Sequence, residues 1–206
     1  MAGCCENKSC EIEALQKRQS AVLKMVLAIN ALMFLLEMTA GILSSSVSLV
    51  GDSLDMLGDA LVYAFSLYVV TRGARMKAMA ALFKGGIMLA FGLFVLGQAV
   101  YKILVPQLPL YEAIGGFGVL ALAANSLCLF LLWKHRSDDI NMSSVWLCSR
   151  NDLIANSAVI LAAVGVWFTA SGWPDIAVGL ALAVLFLRSA LFVLRGALAE
   201  LKAHPA

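Results

Sequence analysis

The sequence predicts an all-α membrane protein of six transmembrane helices, and three observations support this fold class. Of the 206 residues, 62% are hydrophobic and only 14% are charged, with a mean hydropathy of +0.90. Soluble domains carry about 25% charged residues, so the composition excludes a soluble globular protein. Six apolar runs each reach the roughly 20 residues that cross a bilayer core. The basic residues, finally, gather at one end of these runs.

The six runs define the predicted helices and the domain organisation. We expect helices over residues 21–44, 48–71, 79–104, 110–133, 143–168 and 174–198. They form one membrane domain over residues 21–200, between a cysteine-containing tail (1–20) and a short tail (201–206). The first tail has no apolar centre, so we do not expect a cleaved signal peptide. We expect no C-terminal soluble domain.

The basic residues predict the orientation. They flank alternate ends of the helices: Lys8, Lys17, Arg18, Lys24, Arg72, Arg75, Lys77, Lys134, Arg136 and Lys202. The opposite connections, 44–46, 105–109 and 170–174, have no Lys or Arg, and Lys102 is the nearest exception. The positive-inside rule therefore places both termini in the cytoplasm. Because these residues do not form an aromatic-interleaved basic face, we expect no nucleic-acid partner.

The first and second halves of the chain indicate an internal repeat. NALMFLLE begins at Asn30 in the first helix, and NSLCLFLL begins at Asn125 in the fourth. Asp55 follows Asn30 by 25 residues, and Cys148 follows Asn125 by 23. Since each half has three spans, the halves cross the membrane in opposite senses. A 3+3 inverted repeat of this kind is a transporter architecture, with its site near the midplane.

Three aspartates interrupt the second apolar run, in the stretch GDSLDMLGD. Each charge at the middle of a membrane helix costs about 2.5–3.5 kcal/mol, which indicates a functional site. Asp55 and Asp59 are four residues apart and lie on one helix face. Asp52 falls in the same stripe, although near a helix start it could instead complement the helix dipole. We expect Asp175, at the start of the sixth helix, to complement the dipole of that helix.

The fifth helix carries a pair with the same spacing, Cys148 and Asp152. The second and fifth helices run in opposite directions, so their pairs can face each other. Two pairs spaced by one turn can surround an ion tetrahedrally, which suits zinc-like ions. Alone, Cys148 could be a small buried apolar residue. Metal binding requires deprotonated ligands, and carboxylates in a low dielectric take up protons when empty, so the site could exchange metal for protons.

Three further polar residues lie inside predicted helices. Glu37 could belong to a proton pathway or pair with a neighbouring helix. Asn30 and Asn125 could act as accessory metal ligands, or could hold helices together through hydrogen bonds.

The residues described above resemble the cation diffusion facilitator family. NALMFLLEMTAGILSSSVSLVGDSLDMLGD is similar to the first two helices of that family, and residues 140–185 are similar to its fifth and sixth helices. The family pattern has an Asn and a Glu in helix 1, [H/D]xxxD in helix 2 and HxxxD in helix 5. Asn30, Glu37, Asp55, Asp59 and Asp152 fit this pattern.

The resemblance implies a proton-coupled exporter of divalent transition metals, commonly a homodimer, and not an enzyme. Carried over by position, its metal site is Asp55, Asp59, Cys148 and Asp152. The metal is then substrate, and no prosthetic group is implied. The implied partners are divalent metal ions, protons, the lipid bilayer and a second copy of the chain. We expect the chain in the inner (cytoplasmic) membrane of a bacterium.

The sequence departs from the family pattern at two points. Cys148 stands where the family usually has His, and a thiolate favours zinc or cadmium over manganese. The three carboxylates would still accept iron, cobalt or manganese. The family usually also has a cytoplasmic C-terminal domain that holds the dimer. Here the chain ends at Ala206, so we expect a short member that dimerises through its membrane helices.

The N-terminal tail contains three cysteines in CCENKSC: Cys4, Cys5 and Cys10. In a reducing cytoplasm these thiols would stay free, and they could capture a soft metal for the membrane site. Their spacing is not that of a structural zinc site, so an incidental cysteine-rich tail is the alternative.

Three other functions remain open from the sequence. A small cation/drug–proton antiporter would use Glu37 and an aromatic-lined pocket. An intramembrane metalloenzyme would need a general base and an open metal position, and no HExxH motif occurs. A metal sensor without transport differs from the exporter only in flux.

Overall fold

A computed structural model describes the backbone of residues 3–69, 74–134 and 140–203. Side chains are described for residues 20–61, 64, 79, 82–83, 85–134, 152–199 and 201. The described backbone contains six helices and no strand: α1 (Gly3–Leu43), α2 (Val47–Val69), α3 (Ala74–Leu104), α4 (Tyr111–Trp133), α5 (Ile140–Thr169) and α6 (Trp173–Ala203). The prediction of six helices is confirmed.

Five of the six helices are long and apolar enough to cross a membrane, which confirms the all-α membrane class. These spans are Ser20–Leu43, Gly85–Leu104, Tyr111–Trp133, Asp152–Thr169 and Trp173–Ala199. The helix outside this set is α2, because every stretch of 18 residues within it contains all three aspartates. Its 23 residues still match the length of a span.

The helices at both ends of the chain extend beyond the predicted spans. The first begins at Gly3, so the segment expected as a tail is helical, and α6 continues to Ala203. Residues 11–19, EIEALQKRQ, consist mainly of strong helix formers, which explains the extension of α1.

Helix α2 is central to the bundle, since it contacts each of the other five helices. The most extensive pairs are α3 with α6, α1 with α2, and α4 with α5. Each pair within the first half has its counterpart in the second: α1–α2 matches α4–α5, and α2–α3 matches α5–α6. This pattern agrees with the 3+3 repeat. The contact between α2 and α6 has no counterpart between α3 and α5 in the described residues.

Glycines allow α3 and α6 to approach closely. A methyl group at Gly85 would lie 2.8 Å from Cγ of Leu194, and one at Gly92 would lie 2.8 Å from Cγ of Leu187. Gly85 and Gly92 are seven residues apart, so they lie on one face of α3. Small residues at such positions let membrane helices pack backbone to side chain.

The α1–α2 connection is tied to α6. Ser46 accepts a hydrogen bond from the backbone N–H of Leu49 (3.1 Å) and thereby caps the start of α2. The hydroxyl of Ser46 also donates to Asp175, in the first turn of α6, at 2.6 Å. These contacts fix the N-terminal end of α2, and the three aspartates lie in the turns that follow it.

Two apolar clusters lie on either side of the polar residues along α1 and α4. One, here called the α1–α4 cluster, consists of Leu23, Val26, Cys128 and Leu132. The other is the main core, which includes Ala40, Val50, Leu54, Ile114 and Val159. Asn30 and Asn125 fall between these clusters on their helices, at the level of the candidate site.

Candidate metal site

A small polar cavity, too narrow for a water-sized sphere, lies among α1, α2, α4 and α5. Its described lining consists of Asn30, Asp52, Asp55, Met56, Asp59, Asn125 and Asp152. The cavity thus brings together four of the acidic residues and both asparagines that the sequence analysis selected. The repeat relates Asn30 to Asn125 and Asp59 to Asp152. All four of these residues line the same cavity.

The aspartates of α2 reach the cavity because their spacing of three and four residues keeps them on one side of the helix. Asp52 is 1% exposed, and its Oδ2 has no hydrogen-bond partner. Asp55 and Asp59 are half-buried. Asp152 approaches from α5, which packs against α2, as the opposed pairs require.

Asn30 connects α1 to α4. Its Nδ2 donates to the backbone carbonyl of Val26 at 3.0 Å and to Sγ of Cys128 at 3.8 Å. Its Oδ1 has no hydrogen-bond partner, although the side chain is only 1% exposed. The amide therefore holds the helices together through its nitrogen and leaves its oxygen unused. Asn125 is also buried, at 3% exposed.

Glu37 does not line the cavity. It is fully buried, and neither of its carboxylate oxygens has a hydrogen-bond partner. Asp52 and Asp55 are close enough for direct charge–charge interaction with it. Glu37 therefore neighbours the site through α2 and does not contribute a lining atom.

Four candidate ligands lie outside the described side chains. Cys148 falls within α5, four residues before Asp152, and the structure gives its backbone only. The same holds for Cys4, Cys5 and Cys10 in α1. These four remain predictions from the sequence.

The carboxylates share a cavity without forming a finished ligand set. Among the described side chains, no group of three or more His, Cys, Asp or Glu residues is arranged to hold a metal ion.

The structure adds three polar or sulfur-containing residues that the sequence analysis missed. Met56 lines the cavity, and it lies one turn after Asp52. Cys128 is fully buried against Asn30. Asn156 is fully buried, with no hydrogen-bond partner at either amide atom. The spacing of four between Asp152 and Asn156 could have revealed this last residue, because it extends the CxxxD stripe by one turn.

Membrane-length helices around a buried, acid-lined cavity define an integral membrane protein. Comparison with known families makes the class specific. The cation efflux transmembrane domain matches residues 23–202. The chain belongs to this family, the cation diffusion facilitators.

Two curated relatives are similar to this chain. The cation efflux system protein CzcD of Alcaligenes sp. (strain CT14) is 25% identical over 190 residues. The metal cation efflux system protein CzcD of Cupriavidus metallidurans is 24% identical over 190 residues. In both cases the match covers 85% of this chain and 60% of the relative. The chain therefore spans about 60% of the length of these relatives.

Proposed function

We propose that this protein exports divalent transition-metal cations from the cytoplasm in exchange for protons. The observation that carries the proposal is the cavity in which Asp55 and Asp59 of α2 meet Asp152 of α5. In the proposed site these three carboxylates and the Cys148 thiolate bind the metal. Family membership and the two CzcD relatives support metal efflux as the general activity.

Exchange with protons follows from the location of the carboxylates. Buried carboxylates without a cation are stabilised by protons, whereas metal binding requires that the protons leave. One site can then hold either a metal ion or protons, and its two loaded forms carry the two substrates in opposite directions. Glu37, beside Asp52 and Asp55, acts in this scheme as an accessory proton carrier.

The proposed metals are zinc and cadmium, with cobalt or iron as weaker substrates. A tetrahedral set of oxygen and sulfur ligands suits Zn²⁺, and a thiolate favours soft ions over manganese. In the proposed arrangement the protein lies in a bacterial inner membrane with both termini in the cytoplasm. It works as a homodimer held by its membrane helices.

The antiporter of small organic cations remains the alternative, with Glu37 as its exchanging acid. An organic cation would be bound in a pocket lined by aromatic side chains. None of the described residues that line the cavity is aromatic, and Glu37 is not among them. These two observations favour the metal proposal.

Proton flux from proteoliposomes tests the proposal. Zinc, cadmium, cobalt, iron(II) and manganese are added in turn to vesicles containing wild type or Asp59→Asn. We expect metal-triggered proton movement in wild type, and movement at the level of empty vesicles in the variant. Glu112→Gln, which changes an exposed acid in the first turn of α4, is the matched control and should behave as wild type.

Two results would contradict the proposal. If no metal moves protons through wild type, or if Asp59→Asn matches wild type, the cavity is not the exchange site. In that case Glu37→Gln, tested with organic cations, decides whether the alternative is correct.

A further inference from the structure

A second cavity, of about 280 Å³, lies at the end of the bundle where the α3–α4 and α5–α6 connections meet. Lys102, Gln107 and Leu108 line it on one side, and Ser171 and Trp173 line it on the other. No acidic residue is among its described lining residues. The proposed metal exchange does not use this cavity, which is large enough to hold a group of the size of a phosphate.

Backbone contacts between the connections fix the shape of this cavity. A Cβ atom added at Gly172 would lie 3.0 Å from the backbone carbonyl oxygen of Gln107, so the two connections pack closely there. The backbone N–H of Leu110 donates to the carbonyl of Ser44 at 3.1 Å, which ties the α3–α4 connection to the α1–α2 connection. The cavity is therefore a formed part of the fold, as binding sites for small groups usually are.

Lys102 carries a buried positive charge at the wall of the cavity. It lies in the last turn of α3, is the basic residue nearest to the connections at this end, and is only 9% exposed. Its ammonium donates a hydrogen bond to Oε1 of Gln107, which is neutral, and no acidic side chain among the described residues lies within ion-pair distance. Lysine is rarely buried without a partner of opposite charge.

Asp175 attracts Lys102 electrostatically, but its carboxylate is bound elsewhere. Both of its oxygens accept hydrogen bonds from the start of α2, where Ser46, Val47 and Ser48 are the donors. Since an ammonium has three N–H donors and Gln107 takes one, Lys102 keeps donors for which the described residues supply no acceptor. A buried cation in this situation, on the wall of a cavity, points to an anion as the ligand.

We propose that the cavity binds the phosphate group of an anionic ligand, and that an anionic phospholipid of the surrounding membrane is its source. Lysine binds phosphate as a point charge. Ser171 adds a hydroxyl, and Gln107, whose oxygen is taken by Lys102, adds its amide nitrogen as a donor. The inference is independent of the proposed metal site, with which the cavity shares no described lining residue.

The surface around the cavity favours a lipid over a free phosphate ion. Leu104, Leu108 and Trp173 are 75%, 60% and 62% exposed, and large apolar side chains at the ends of membrane-length helices are covered by lipid. Trp173 is the first residue of α6, and tryptophan at helix ends marks the level of the lipid headgroups. The phosphate of a lipid beside this surface therefore lies at the depth of Lys102.

Thermal unfolding of the purified full chain in an uncharged detergent tests the site. Phosphatidylglycerol, phosphatidylcholine or inorganic phosphate is added over a range of concentrations, because a ligand that binds the folded state raises the Tm. We expect a saturable rise with phosphatidylglycerol and a smaller one with phosphatidylcholine, whose ammonium offsets the phosphate charge. Lys102→Gln should raise the half-saturating concentration of phosphatidylglycerol about tenfold, the effect of losing one charge-assisted hydrogen bond.

Three further variants test the site if Lys102→Gln folds poorly. Lys102→Arg keeps the charge and should keep the rise in Tm. Leu108→Glu places a carboxylate on the cavity wall, at an exposed position, and should abolish the rise by repelling the phosphate. Leu104→Glu is the matched control: it adds the same charge at an exposed residue outside the described lining, and it should behave as wild type.

The outcomes identify the source of the phosphate and separate this inference from the metal proposal. If inorganic phosphate gives the Lys102-dependent rise and phosphatidylglycerol does not, the phosphate site is supported and the lipid source is wrong. Equal rises in wild type and Lys102→Gln, in Leu104→Glu and Leu108→Glu, or with both lipids overturn the site. Asp59→Asn should respond as wild type does, so a failure of metal exchange leaves this inference unaffected.

Discussion

Asp175 shows how this protein stabilises a buried carboxylate through hydrogen bonds. It is 1% exposed, and it accepts hydrogen bonds from the hydroxyls of Ser46 and Ser48 at 2.6 Å each. It also accepts from the backbone N–H groups of Val47 at 2.7 Å and Ser48 at 3.1 Å. These donors belong to Ser46, which caps α2, and to the first turn of that helix. Asp175 therefore complements the dipole of α2, across the bundle, as well as lying in the first turn of its own helix.

Replacement of Asp175 by Ala should strongly destabilise the protein. It removes a carboxylate from four donors, and unsatisfied buried donors cost about 1–3 kcal/mol each before relaxation. Because the connection between α1 and α2 can relax around the lost acceptor, we expect a loss of about 3 kcal/mol in the free energy of unfolding. Thermal unfolding in detergent measures the loss.

A second first-turn acid serves as the control for Asp175. Glu112 is exposed at the start of α4, where a dipole interaction is worth about 0.3–1 kcal/mol. Glu112→Ala should therefore lower stability much less than Asp175→Ala. Equal effects would show that the dipole, rather than the contacts to α2, determines the stability at this position.

Asp52 and Glu37 are also buried carboxylates, but they lack the donors that surround Asp175. Both are as buried as Asp175, yet Oδ2 of Asp52 and both oxygens of Glu37 have no hydrogen-bond partner. A protein of marginal stability retains such groups where function needs them. The contrast distinguishes a carboxylate that holds the fold together from carboxylates that are available to a proton or a cation.

At the scale of elements, the pairing of α3 with α6 depends on two glycines. Gly92→Val would place its Cβ 2.8 Å from Leu187, so the helices must separate or Leu187 must change its rotamer. Such overpacking typically costs about 1–3 kcal/mol. We expect Gly92→Val to lower the thermal stability in detergent.

Gly97 on the same helix is the control, because nothing lies within 4 Å of its Cβ position. Gly97→Val has the same helix propensity change, so the difference between the two variants isolates the contact with α6. If both variants lose the same stability, the close approach of α3 and α6 is not required.

The elements were predictable because hydropathy alone separates membrane helices from their connections. Even α2 could be assigned, since its aspartates occupy one stripe and the rest of the helix stays apolar. The meeting of Asp55, Asp59 and Asp152 was predictable from equal spacings on opposed helices. Cys128 was not found, because one cysteine in an apolar run carries no pattern. Asn156 could have been found, because it continues the spacing of four residues that links Cys148 to Asp152.

Contacts between segments that are far apart in the chain could not be predicted from the sequence, for a related reason. Asp175 and Ser46 are 129 residues apart, and no periodicity links them. Their contact follows from the packing of α2 against α6, which the three-span repeat does not imply. A repeat predicts equivalent pairs, whereas this pair has no counterpart in the described residues of the other half.

For the whole molecule, the cavity lies where the two halves meet. Helices α1 and α2 come from the first half, α4 and α5 from the second, and each pair packs closely within its own half. The two halves contact each other through α1–α4, α2–α5, α2–α4, α2–α6 and α3–α6. A shift of one half against the other would open the cavity to one side, which is the motion expected of inverted-repeat transporters.

The orientation of the molecule decides the direction of transport, and cysteine labelling can measure it. In a background where all five native cysteines are Ser, one protein regains Cys10 and a second carries Leu108→Cys. Leu108 lies in the connection between α3 and α4 and is 60% exposed. Because Lys and Arg are concentrated at the other end, a membrane-impermeant maleimide should label Leu108→Cys in right-side-out vesicles and Cys10 only in inverted ones. The two positions control for each other, since each should react in just one vesicle type. The reverse pattern would mean that the direction of export proposed here is wrong.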